Sequence, residues 1–593
     1  MGKEKKHLII CANEHTWKFD RPVVFLGEWC KLYNRKHIWQ DMNYVVASPY
    51  GMSIIQKDAD YKEVRSLENI LIKNLCNTLN QHHGVYYSER FWTIVLGHWL
   101  RRYISIILNR VKTIEMCFNE YQITSTTLYK NENYSLATHD SYSAILASND
   151  DLWNYKLNSR ILYLLGLLHF PVENFNDNKS EGFHFEQIEN NCTIYRKLFK
   201  FCFKVFTKLL NWFSRQSDAF IINTYLPKKE EIKLQLLLNQ VPQFWNTPIY
   251  NKSEKPDLNL RYNLTNYLKS KKSNTNLHEI LNELLFELLP ICYLEGFNNL
   301  ENLVKKLPYP KYPKFIFTCN NFDTDEVFKL WAAKNVEKGI KYFTGQHGNN
   351  YGTYRFLNPS IEEATADKFL TWGWTDDMPQ HIPAFIFLTV DRKPNNYNPN
   401  GKLLLIEDMY YDRIDTWDRC AEHLKYSNDQ FLFTKLLKNE CLTQLIVRLH
   451  ATYKYNNPSE RIQWYEFNSN IEIDNGHRSI NELIKESRLI IHGYDSTGIL
   501  ETLSLNIPTL AFWQNDFEHL RDNAKPYYQL LIDSGIVHTS AKSLANKVNE
   551  VWDNVNAWWG QSKVQEARLK FCERYAQTSK NPLGDLKMIL INH

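Results

Sequence analysis

The stretch RLIIHGYDSTGILETLSLNIPTLAFW, residues 488–513, decides the fold of this chain. An apolar run opens it, a short polar turn and an amphipathic segment follow, and Pro508 leads a second apolar run. This order predicts a buried strand, a helix and a second buried strand. Strands that alternate with helices in this way form a parallel sheet, so the stretch places the chain in the α/β class.

The same alternation occupies two parts of the C-terminal half. Between residues 313 and 374, the stretches KFIFT, IKYFTG and KFLTWGW predict strands, and DEVFKLWAAKNVEKG predicts a helix. A second series runs from LLLIE at 403–407 through LIVRLH at 445–450 to the stretch at 488–513. The Pro- and Asn-rich segment RKPNNYNPNGK, residues 392–402, separates the two series and predicts a domain boundary.

Two doubly wound, Rossmann-like units in tandem place a ligand cleft between them, at the carboxyl ends of their strands. We expect the first unit to cover residues 1–390 and the second to cover residues 400–593. Apolar positions recur at intervals of three and four residues at 66–108 and 188–212. This spacing predicts a large helical insertion in the first unit, at about 66–300.

Composition and charge describe a multi-domain globular protein. The chain has 593 residues, too many for one hydrophobic core, and 44% of them are hydrophobic. Its net charge of +4 gives no reason to expect a nucleic-acid partner. The 11 cysteines form no CxxC pair, as is typical of reduced thiols in a cytoplasmic protein. The longest apolar run, residues 161–168, is too short to span a membrane, so we expect a cytoplasmic location.

The polar turn within the first stretch has the chemistry of a phosphate site. It joins a strand to a helix N-terminus through four residues, Asp495, Ser496, Thr497 and Gly498. Free N–H groups and the positive end of the helix dipole attract anions at such a turn. Glu501 follows one turn into the helix, where a carboxylate can accept hydrogen bonds from ribose hydroxyls. An ordinary N-cap followed by a surface glutamate fits the same spacing, and the residues alone leave both interpretations open.

Three further basic residues are candidates for binding the phosphate of a ligand. Arg448 and His450 stand at the carboxyl end of the strand LIVRLH, and His492 ends the strand before the polar turn. An arginine can pair bidentately with phosphate oxygens, and His450 can donate a hydrogen bond or a proton to a departing nucleotide. The alternative for Arg448 is a strand-end arginine in a surface ion pair.

The loop GQHGNNYG, residues 345–352, follows the predicted strand IKYFT and holds three glycines in eight residues. Its backbone can therefore turn tightly or approach a ligand closely. His347 stands in the middle of this loop, at the carboxyl end of the predicted strand, and faces the expected cleft. A lone loop histidine is more often structural or simply exposed.

These motifs resemble those of glycosyltransferases with the GT-B fold. Residues 488–513 are similar to the GT-B donor-site signature, a strand followed by S-T/S-x-x-x-E-A/T-L-x-x-x-x-P. Arg448 and His450 resemble the basic strand-end residues that contact the donor phosphate in sialyltransferase-like and Kdo-transferase-like enzymes. His347 resembles the H-G motif of capsule and teichoic-acid polymerases, and this resemblance makes it our first candidate for a general base or a phosphate contact. The resemblance implies a nucleotide-sugar substrate, with CMP-linked Kdo or another nonulosonic acid as the first choice, and no cofactor.

The chain also resembles, over nearly its whole length, a family of surface-carbohydrate transferases first catalogued from Leptospira genomes and found in nonulosonate or O-antigen loci. The motifs that carry this resemblance are FLGEWC at 25–30, SERFWTIVLGHWLRR at 88–102, FDTDEVFKLWAAKN and the loop GQHGNNYGTY. It implies a bacterial enzyme of surface polysaccharide or lipopolysaccharide synthesis without fixing the sugar. Its acceptor-side candidates are Glu14, Glu28, His98, Arg102 and Gln346, and each could equally be a hydrogen-bonded core residue. Glu28 is also a candidate base, as is Glu14 if His347 proves structural.

Two other patterns have structural and functional interpretations. The Asp-x-Asp pairs at 58–60 and 323–325 could bind the metal of another glycosyltransferase class, but the second precedes a helix, where carboxylates favour the dipole. We interpret both pairs as structural and predict no metal site. The segment RKLFKFCFKVFTKLLNWFSR, residues 196–215, carries lysines along one helical face. It is either a core helix with a solvated lysine stripe or a peripheral contact with an anionic membrane.

The predicted function is the transfer of a sugar from a nucleotide donor to a surface-polysaccharide or lipid-linked acceptor. Two alternatives remain at this point. A GT-B-fold epimerase would convert a free nucleotide sugar without an acceptor, and a non-catalytic assembly protein would bind nucleotide sugar or membrane without turnover. UDP- and CDP-linked donors also stay open, as does retention or inversion at the transferred sugar.

Overall fold

Three parallel β-sheets carry the fold. The computed structural model describes residues 4–129, 135–175, 212–248, 250, 252–269, 275–356 and 358–593. Within these ranges every pair of neighbouring strands in the three sheets is parallel. Helices connect the strands, as parallel pairing requires. The mixed, parallel α/β class predicted from the sequence is confirmed.

The first sheet has the strand order β3-β2-β1-β4-β5. Its strands are β1 (Lys5–Ile9), β2 (Val23–Phe25), β3 (Tyr44–Val46), β4 (Gln122–Tyr129) and β5 (Val172–Phe175). The helices of this part are α1 (Lys36–Trp39), α2 (Ile54–His83), α3 (Glu89–Glu120), α4 (Ser141–Ser148) and α5 (Asp151–Leu164). Helix α3 starts at Ser88, whose hydroxyl accepts a hydrogen bond from the backbone N–H of Phe91 (3.1 Å). Most of its side chains are buried, so α3 is a central helix of the core.

The second sheet has the order β10-β9-β8-β7-β6. Its strands are β6 (Phe220–Ile222), β7 (Ile316–Thr318), β8 (Tyr342–Gly345), β9 (Lys368–Thr371) and β10 (His381–Pro383). The accompanying helices are α6 (Lys228–Leu237), α7 (Leu258–Lys269), α8 (Asn276–Leu288), α9 (Phe297–Lys305), α10 (Glu326–Val336) and α11 (Ile361–Thr365). Strands β7, β8 and β9 correspond to the predicted stretches KFIFT, IKYFTG and KFLTWGW.

The third sheet has the order β13-β12-β11-β14-β15-β16, the order of a dinucleotide-binding Rossmann sheet. Its strands are β11 (Lys402–Ile406), β12 (Leu445–Arg448), β13 (Glu472–Asp474), β14 (Ser487–His492), β15 (Thr509–Phe512) and β16 (Val537–His538). Its helices are α12 (Cys420–Lys435), α13 (Asn439–Leu442), α14 (Tyr453–Asn456), α15 (Glu460–Phe467), α16 (Ile480–Glu486), α17 (Thr497–Ser504), α18 (Lys525–Asp533), α19 (Ala541–Val551), α20 (Val555–Trp559), α21 (Ser562–Tyr575) and α22 (Pro582–Asn592). The stretch at 488–513 forms β14, α17 and β15, as predicted.

The N-terminal half differs from the expected single Rossmann-like unit, because it contains two sheets. Helices α2 and α3 lie in the region expected to be a helical insertion, about 66–300, but strands β4, β5 and β6 lie there too. The expectation that this region is helical throughout is therefore wrong, because it contains these three strands as well as helices. Strand β4 (QITSTTLY) carries small β-branched and hydroxyl side chains instead of a long apolar run, so it gave a weak strand signal. The second helical pattern, at 188–212, lies outside the described residues except for its last residue.

The C-terminal helices cross back to the second sheet. The backbone N–H of Gln577 donates to the carbonyl of Trp372 (2.9 Å), and helix α22 packs against α6. Trp372 and Trp374 belong to the same buried cluster as the core of the third sheet. Among the helices of the described ranges, none is long and apolar enough to cross a membrane.

Helix caps fix two segments at the carboxyl edge of the second sheet. The carboxylate of Asp325 accepts from the backbone N–H of Phe328 (3.0 Å) and starts α10. Ser360 and Glu363 form a capping box at the start of α11, in which each side chain accepts from the other residue's backbone N–H. The residues just before and inside these caps are therefore held in fixed positions.

Arg110 joins α3 to the loop after β11. Its guanidinium is almost completely buried and donates to the side-chain oxygen of Asn154 (3.0 Å) and to the backbone carbonyls of Asp415 (2.5 Å) and Thr416 (3.3 Å). Burial lowers the pKa of Arg110 to about 10, so the side chain remains charged at neutral pH. A buried cation therefore connects the helices of the first sheet to the third sheet.

We expect Arg110→Met to lower the free energy of unfolding by about 2 to 3 kcal/mol, because it leaves buried acceptors without their donor. Arg160→Met is the control, since Arg160 is 42% exposed in its ion pair with Glu287 and should contribute less than about 1 kcal/mol. Urea denaturation followed by tryptophan fluorescence measures both changes. A stability of Arg110→Met equal to that of the wild type would contradict the role given to this cation.

Candidate functional site

A cavity of about 580 Å³ lies where the carboxyl ends of β7 and β8 meet helix α3, the loop after β11 and the start of α17. All three sheets thus contribute to its surroundings. Its lining residues are Tyr61, His98, Arg101, Arg102, Ser105, Asn320, Phe322, Asp323, His347, Gly348, Asn349, Asn350, Tyr351, Ser360, Ile361, Glu362, Glu363, Thr416, Trp417, Thr497 and Arg521. The position at strand ends is where α/β proteins bind ligands.

His347 lines this cavity from the loop after β8. Its Nδ1 lies 3.1 Å from the hydroxyl of Tyr351, and its ring also contacts those of Phe322 and Tyr225. Burial lowers the pKa of His347 below its ordinary value of 6.5, although the nearby carboxylates of Glu362 and Asp323 act in the opposite direction. The imidazole is therefore neutral at pH 7.

Tyr351 and Glu362 continue the hydrogen-bond chain that begins at His347. The hydroxyl of Tyr351 donates a short hydrogen bond to Oε1 of Glu362. Glu362 stands in the first turn of α11 and is 4% exposed. Its other oxygen, Oε2, lies 3.5 Å from Nε2 of His98.

A second set of polar and charged side chains lines the cavity next to Glu362. Arg102, on α3, donates two hydrogen bonds to the carboxylate of Asp323, at 2.6 and 2.7 Å. His98 lies one helical turn earlier, 3.8 Å from Asp323, and stacks on Phe322 with 5.6 Å between ring centroids. Burial lowers the pKa of His98 to about 4, so this histidine is also neutral at pH 7. The acceptor-side candidates His98 and Arg102 thus both line the cavity that contains His347.

Sequence reasoning missed three residues of this wall, Asp323, Tyr351 and Glu362. We interpreted the pair at 323–325 as structural. That holds for Asp325, which caps α10, but Asp323 faces the cavity and holds Arg102. Tyr351 lies in the loop GQHGNNYG, four residues after His347. This short spacing was the only feature of the sequence that could have placed it beside the histidine. Nothing in the sequence around Glu362 marks it, because its neighbours come from distant segments.

The polar turn and the glycine-rich loop are bonded to each other. The backbone N–H of Asn349 donates to the hydroxyl of Thr497 (2.9 Å), and its side-chain amide donates to Asp495 (2.8 Å). Asp495 also accepts from Tyr528 (2.9 Å) and lies 3.0 Å from Nε2 of His519. Thr497 lines the cavity, so the predicted donor turn and the predicted base share one cavity.

Two of the donor candidates point away from this cavity. His492 is 1% exposed, and its ring nitrogens lie 3.1 Å from the hydroxyl of Ser496 and 3.3 Å from that of Thr502. Burial lowers the pKa of His492 to about 3. The assignment of His492 and Ser496 to phosphate binding needs correction, because their polar atoms bond each other inside the core. Gly498 packs against the same ring and carries no side chain toward the cavity.

The remaining donor candidates lie apart from the cavity lining. Arg448 pairs with Asp474 (2.5 Å), as in the structural alternative. His450 lies 2.8 Å from the hydroxyl of Thr452. Glu501 pairs with Arg392 and is 27% exposed at its side chain. None of these three residues lines the cavity with Thr497.

Three acceptor-side candidates also lie outside the cavity. Glu14 pairs with Arg35, and Glu28 pairs with Lys31 (3.0 Å), both beside the first sheet. Gln346 is 1% exposed, and its oxygen accepts from the backbone N–H of Trp372 and from the indole of Trp374, both at 2.8 Å. Its place as an acceptor-side residue needs correction, because these bonds make it a structural support of the loop.

The match to a known family decides the general class of this protein. The LIC12162 family transferase model matches residues 6–590. The chain belongs to this family. It is therefore a transferase, and the family membership expected from the sequence motifs is confirmed. No curated protein sequence matches the transferase.

Solved structures with which the transferase shares a weak likeness include MnaA, a UDP-GlcNAc 2-epimerase and a wall teichoic acid polymerase. MnaA of S. aureus, with UDP, is 14% identical, with coverage of 64% of this chain and 96% of that one and a TM-score of 0.32. The UDP-GlcNAc 2-epimerase of Neisseria meningitidis, bound to UDP-GlcNAc, is 13% identical, with coverage of 52% and 93% and a TM-score of 0.29. The wall teichoic acid polymerase TagF is 10% identical, with coverage of 67% and 96% and a TM-score of 0.30. Likenesses of this size say nothing about the substrate.

We expect Gly498→Ala to destabilise the transferase by about 1 to 3 kcal/mol, although alanine is the better helix former. A Cβ at this position would lie 2.5 Å from Cε1 of His492, a buried ring that Ser496 and Thr502 hold in place. In the background His492→Asn, where the ring is absent, the same substitution should cost much less. Thermal denaturation of the four proteins of this double-mutant cycle measures the coupling. Additive effects would show that the close approach has no energetic consequence.

Proposed function

We propose that this transferase moves a sugar from a nucleotide-sugar donor to a hydroxyl of a carbohydrate or lipid-linked acceptor, with His347 as the general base. The observation that carries the proposal is the hydrogen-bond chain from His347 through Tyr351 to Glu362, in the wall of the cavity. This chain supports a defined protonation state for the histidine.

The tautomer of His347 follows from the order of donors and acceptors. The carboxylate of Glu362 can only accept, so the single proton of the Tyr351 hydroxyl points to Glu362. The oxygen of Tyr351 is then the acceptor for His347, whose Nδ1 must carry its proton. Nε2 keeps its lone pair and is the nitrogen that can take a proton from a substrate. When Nε2 becomes protonated, Glu362 stabilises the resulting charge through Tyr351.

The transfer step moves one proton and one glycosyl group. The acceptor oxygen forms a bond to the anomeric carbon of the donor sugar, and its proton passes to Nε2 of His347. The bond between the anomeric carbon and the phosphate oxygen breaks, and the nucleotide leaves with that electron pair. Thr497, at the N-terminus of the eight-residue helix α17, is the cavity residue best placed to approach the donor phosphate.

A CMP-linked Kdo or another nonulosonic acid remains our choice of donor, and a bacterial surface polysaccharide, such as O-antigen or lipopolysaccharide, our choice of acceptor. Both rest on the sequence resemblance. We place the reaction in the cytoplasm, and a lipid-linked acceptor would bring the protein to the inner face of the membrane. Residues 196–215, the candidate membrane segment, lie outside the described residues up to residue 211.

Thermal shifts with a panel of CMP-, UDP- and GDP-sugars test the donor class, because a ligand that binds only the folded state raises its stability. Product analysis with and without lipid-linked oligosaccharide acceptors then identifies the reaction. A glycosylated acceptor supports the proposal. A free epimerised nucleotide sugar would indicate an epimerase instead, and binding without turnover would indicate a non-catalytic assembly protein.

We expect His347→Ala to fold normally and to lose transfer by roughly 100- to 10,000-fold, the contribution of a positioned acid or base. His37→Ala, a substitution of an exposed histidine beside the first sheet, is the matched control and should keep full activity. Initial rates at saturating donor measure the effect. If His347→Ala turns over at the wild-type rate, the base is another residue.

The pH dependence of kcat/KM should report the ionisation of His347. Since its pKa lies below 6.5, the base stays unprotonated at pH 7, and activity should fall only as the pH drops below about 6.5. Glu362→Gln removes a negative charge that raises the pKa of His347, so the acidic limb of the kcat/KM profile should move to lower pH. The value of kcat should fall as well. Tyr351→Phe keeps that charge but breaks the chain, so kcat should fall without this displacement of the limb.

Profiles measured between about pH 4.5 and 8.5 compare the wild type with both variants. If kcat/KM falls at the same acidic pH in the wild type and in Glu362→Gln, the charge of Glu362 does not influence the ionisation of the base.

A further inference from the structure

Two buried polar atoms face each other across a corner of the cavity. Oε2 of Glu362 and Nε2 of His98 are 3.5 Å apart, and within the described part of the chain neither has a hydrogen-bond partner. The other oxygen of Glu362 is occupied by Tyr351. Buried polar atoms are normally paired, so a pair of unsatisfied atoms in a cavity wall marks a place for a ligand atom.

The surroundings hold these two side chains in position without satisfying them. His98 stands on α3 and stacks on Phe322 with an angle of 12° between the rings. Its Nδ1 is 3.8 Å from Asp323, which is too far for a hydrogen bond, and Asp323 is already bonded twice to Arg102. Glu362 is fixed by the capping box at the start of its helix. The geometry is therefore preformed.

The chemistry of the two atoms selects the ligand group. A carboxylate oxygen requires a donor. Nε2 of His98 lies nearer to a carboxylate oxygen than Nδ1 does, at 3.5 against 3.8 Å, which favours the tautomer with the proton on Nε2, and an Nε2–H requires an acceptor. A hydroxyl supplies both from one atom. A phosphate or a carboxylate supplies no donor and would meet the charge of Glu362, with Asp323 close behind.

We propose that Glu362 and His98 form a subsite for a second hydroxyl of the acceptor sugar, next to the hydroxyl that His347 deprotonates. The hydroxyl donates to Oε2 of Glu362 and accepts from Nε2 of His98. The inference rests on the proposed function only in identifying the ligand as the acceptor sugar. The subsite itself requires only a neutral polyhydroxyl ligand.

The position of the subsite matches its role. Tyr351 touches His347 on one side and Glu362 on the other, so the base and the subsite are neighbours along one wall. A sugar held by one hydroxyl at Glu362 and His98 presents an adjacent hydroxyl toward His347. Such anchoring orients the reacting group, which raises the rate by lowering the entropy lost in the transition state.

Direct binding of neutral sugars in the absence of donor tests the subsite. The probes are methyl α-glucoside and methyl α-galactoside, with the fully O-methylated glucoside and glucosamine as comparison ligands. Calorimetry on the full-length protein is carried out with the wild type, His98→Phe and His83→Phe. His98→Phe keeps the ring stacked on Phe322 and removes both nitrogens. His83 is the matched control, since it is a half-buried histidine whose ring stacks on Phe297 with 4.3 Å between ring centroids, and it does not line the cavity.

We expect at least one methyl glycoside to bind the wild type and His83→Phe equally, and to bind His98→Phe roughly tenfold more weakly, as the loss of one hydrogen bond implies. His98→Gln, which restores a donor, should recover part of the affinity and replaces His98→Phe if that variant does not fold. The O-methylated glucoside should not bind, because it cannot donate to Glu362.

Equal affinity of the wild type and His98→Phe would overturn the subsite, as would the absence of any binding by both methyl glycosides. Tighter binding of glucosamine than of the methyl glycosides would assign the site to an amine instead of a hydroxyl. These outcomes are independent of transfer. A wild type that binds the glycosides but transfers no sugar from any donor would leave the subsite standing and reject the proposed function.

Discussion

The contact between Asn349 and the turn that begins α17 is the constraint on which the cavity depends. One backbone and one side-chain hydrogen bond from this residue reach Thr497 and Asp495, so a loop of the second sheet is attached to a turn of the third. Asp495, which accepts from Asn349, also accepts a hydrogen bond from Tyr528, and this bond fixes the turn. Without these bonds the histidine loop and the turn would be separate surface features on two sheets. With these bonds, the loop and the turn line the same cavity side by side.

The arginines of the cavity lining are all paired with carboxylates, and this limits what the cavity can hold. Two of its arginines already face carboxylates, Arg101 at Glu68 and Arg102 at Asp323. The third, Arg521, lies 3.6 Å from Asp376. A lining whose arginines are already paired, and in which Oε2 of Glu362 faces only the neutral His98, has little attraction for an anion but several directed donors and acceptors. Such a lining suits a neutral polyhydroxyl group better than a phosphate. The donor phosphate would therefore meet the protein chiefly at the edge formed by α17.

The sequence was informative where one segment decides the structure alone. The strand, helix and strand of residues 488–513 and the position of His347 after β8 follow from local patterns, and both are found as expected. The direction of individual side chains was not accessible in this way. Ser496 and Thr497 are neighbours in the same turn, yet the first bonds His492 in the core and the second faces the cavity. Glu362 and Asp323 join the site only because α3, from a distant part of the chain, packs across both.

The return of the chain after α21 has a mechanical consequence. The polypeptide passes from the second sheet to the third at residues 392–402 and comes back where Gln577 bonds Trp372. The second and third sheets are therefore joined by two covalent crossings as well as by the hydrogen bonds of Asn349 to Thr497 and Asp495. The crossings limit how far the two sheets can separate. A movement that admits a bulky substrate between the loop of His347 and the turn of Thr497 must break the hydrogen bonds of Asn349, and the crossings bring the two segments back together afterwards.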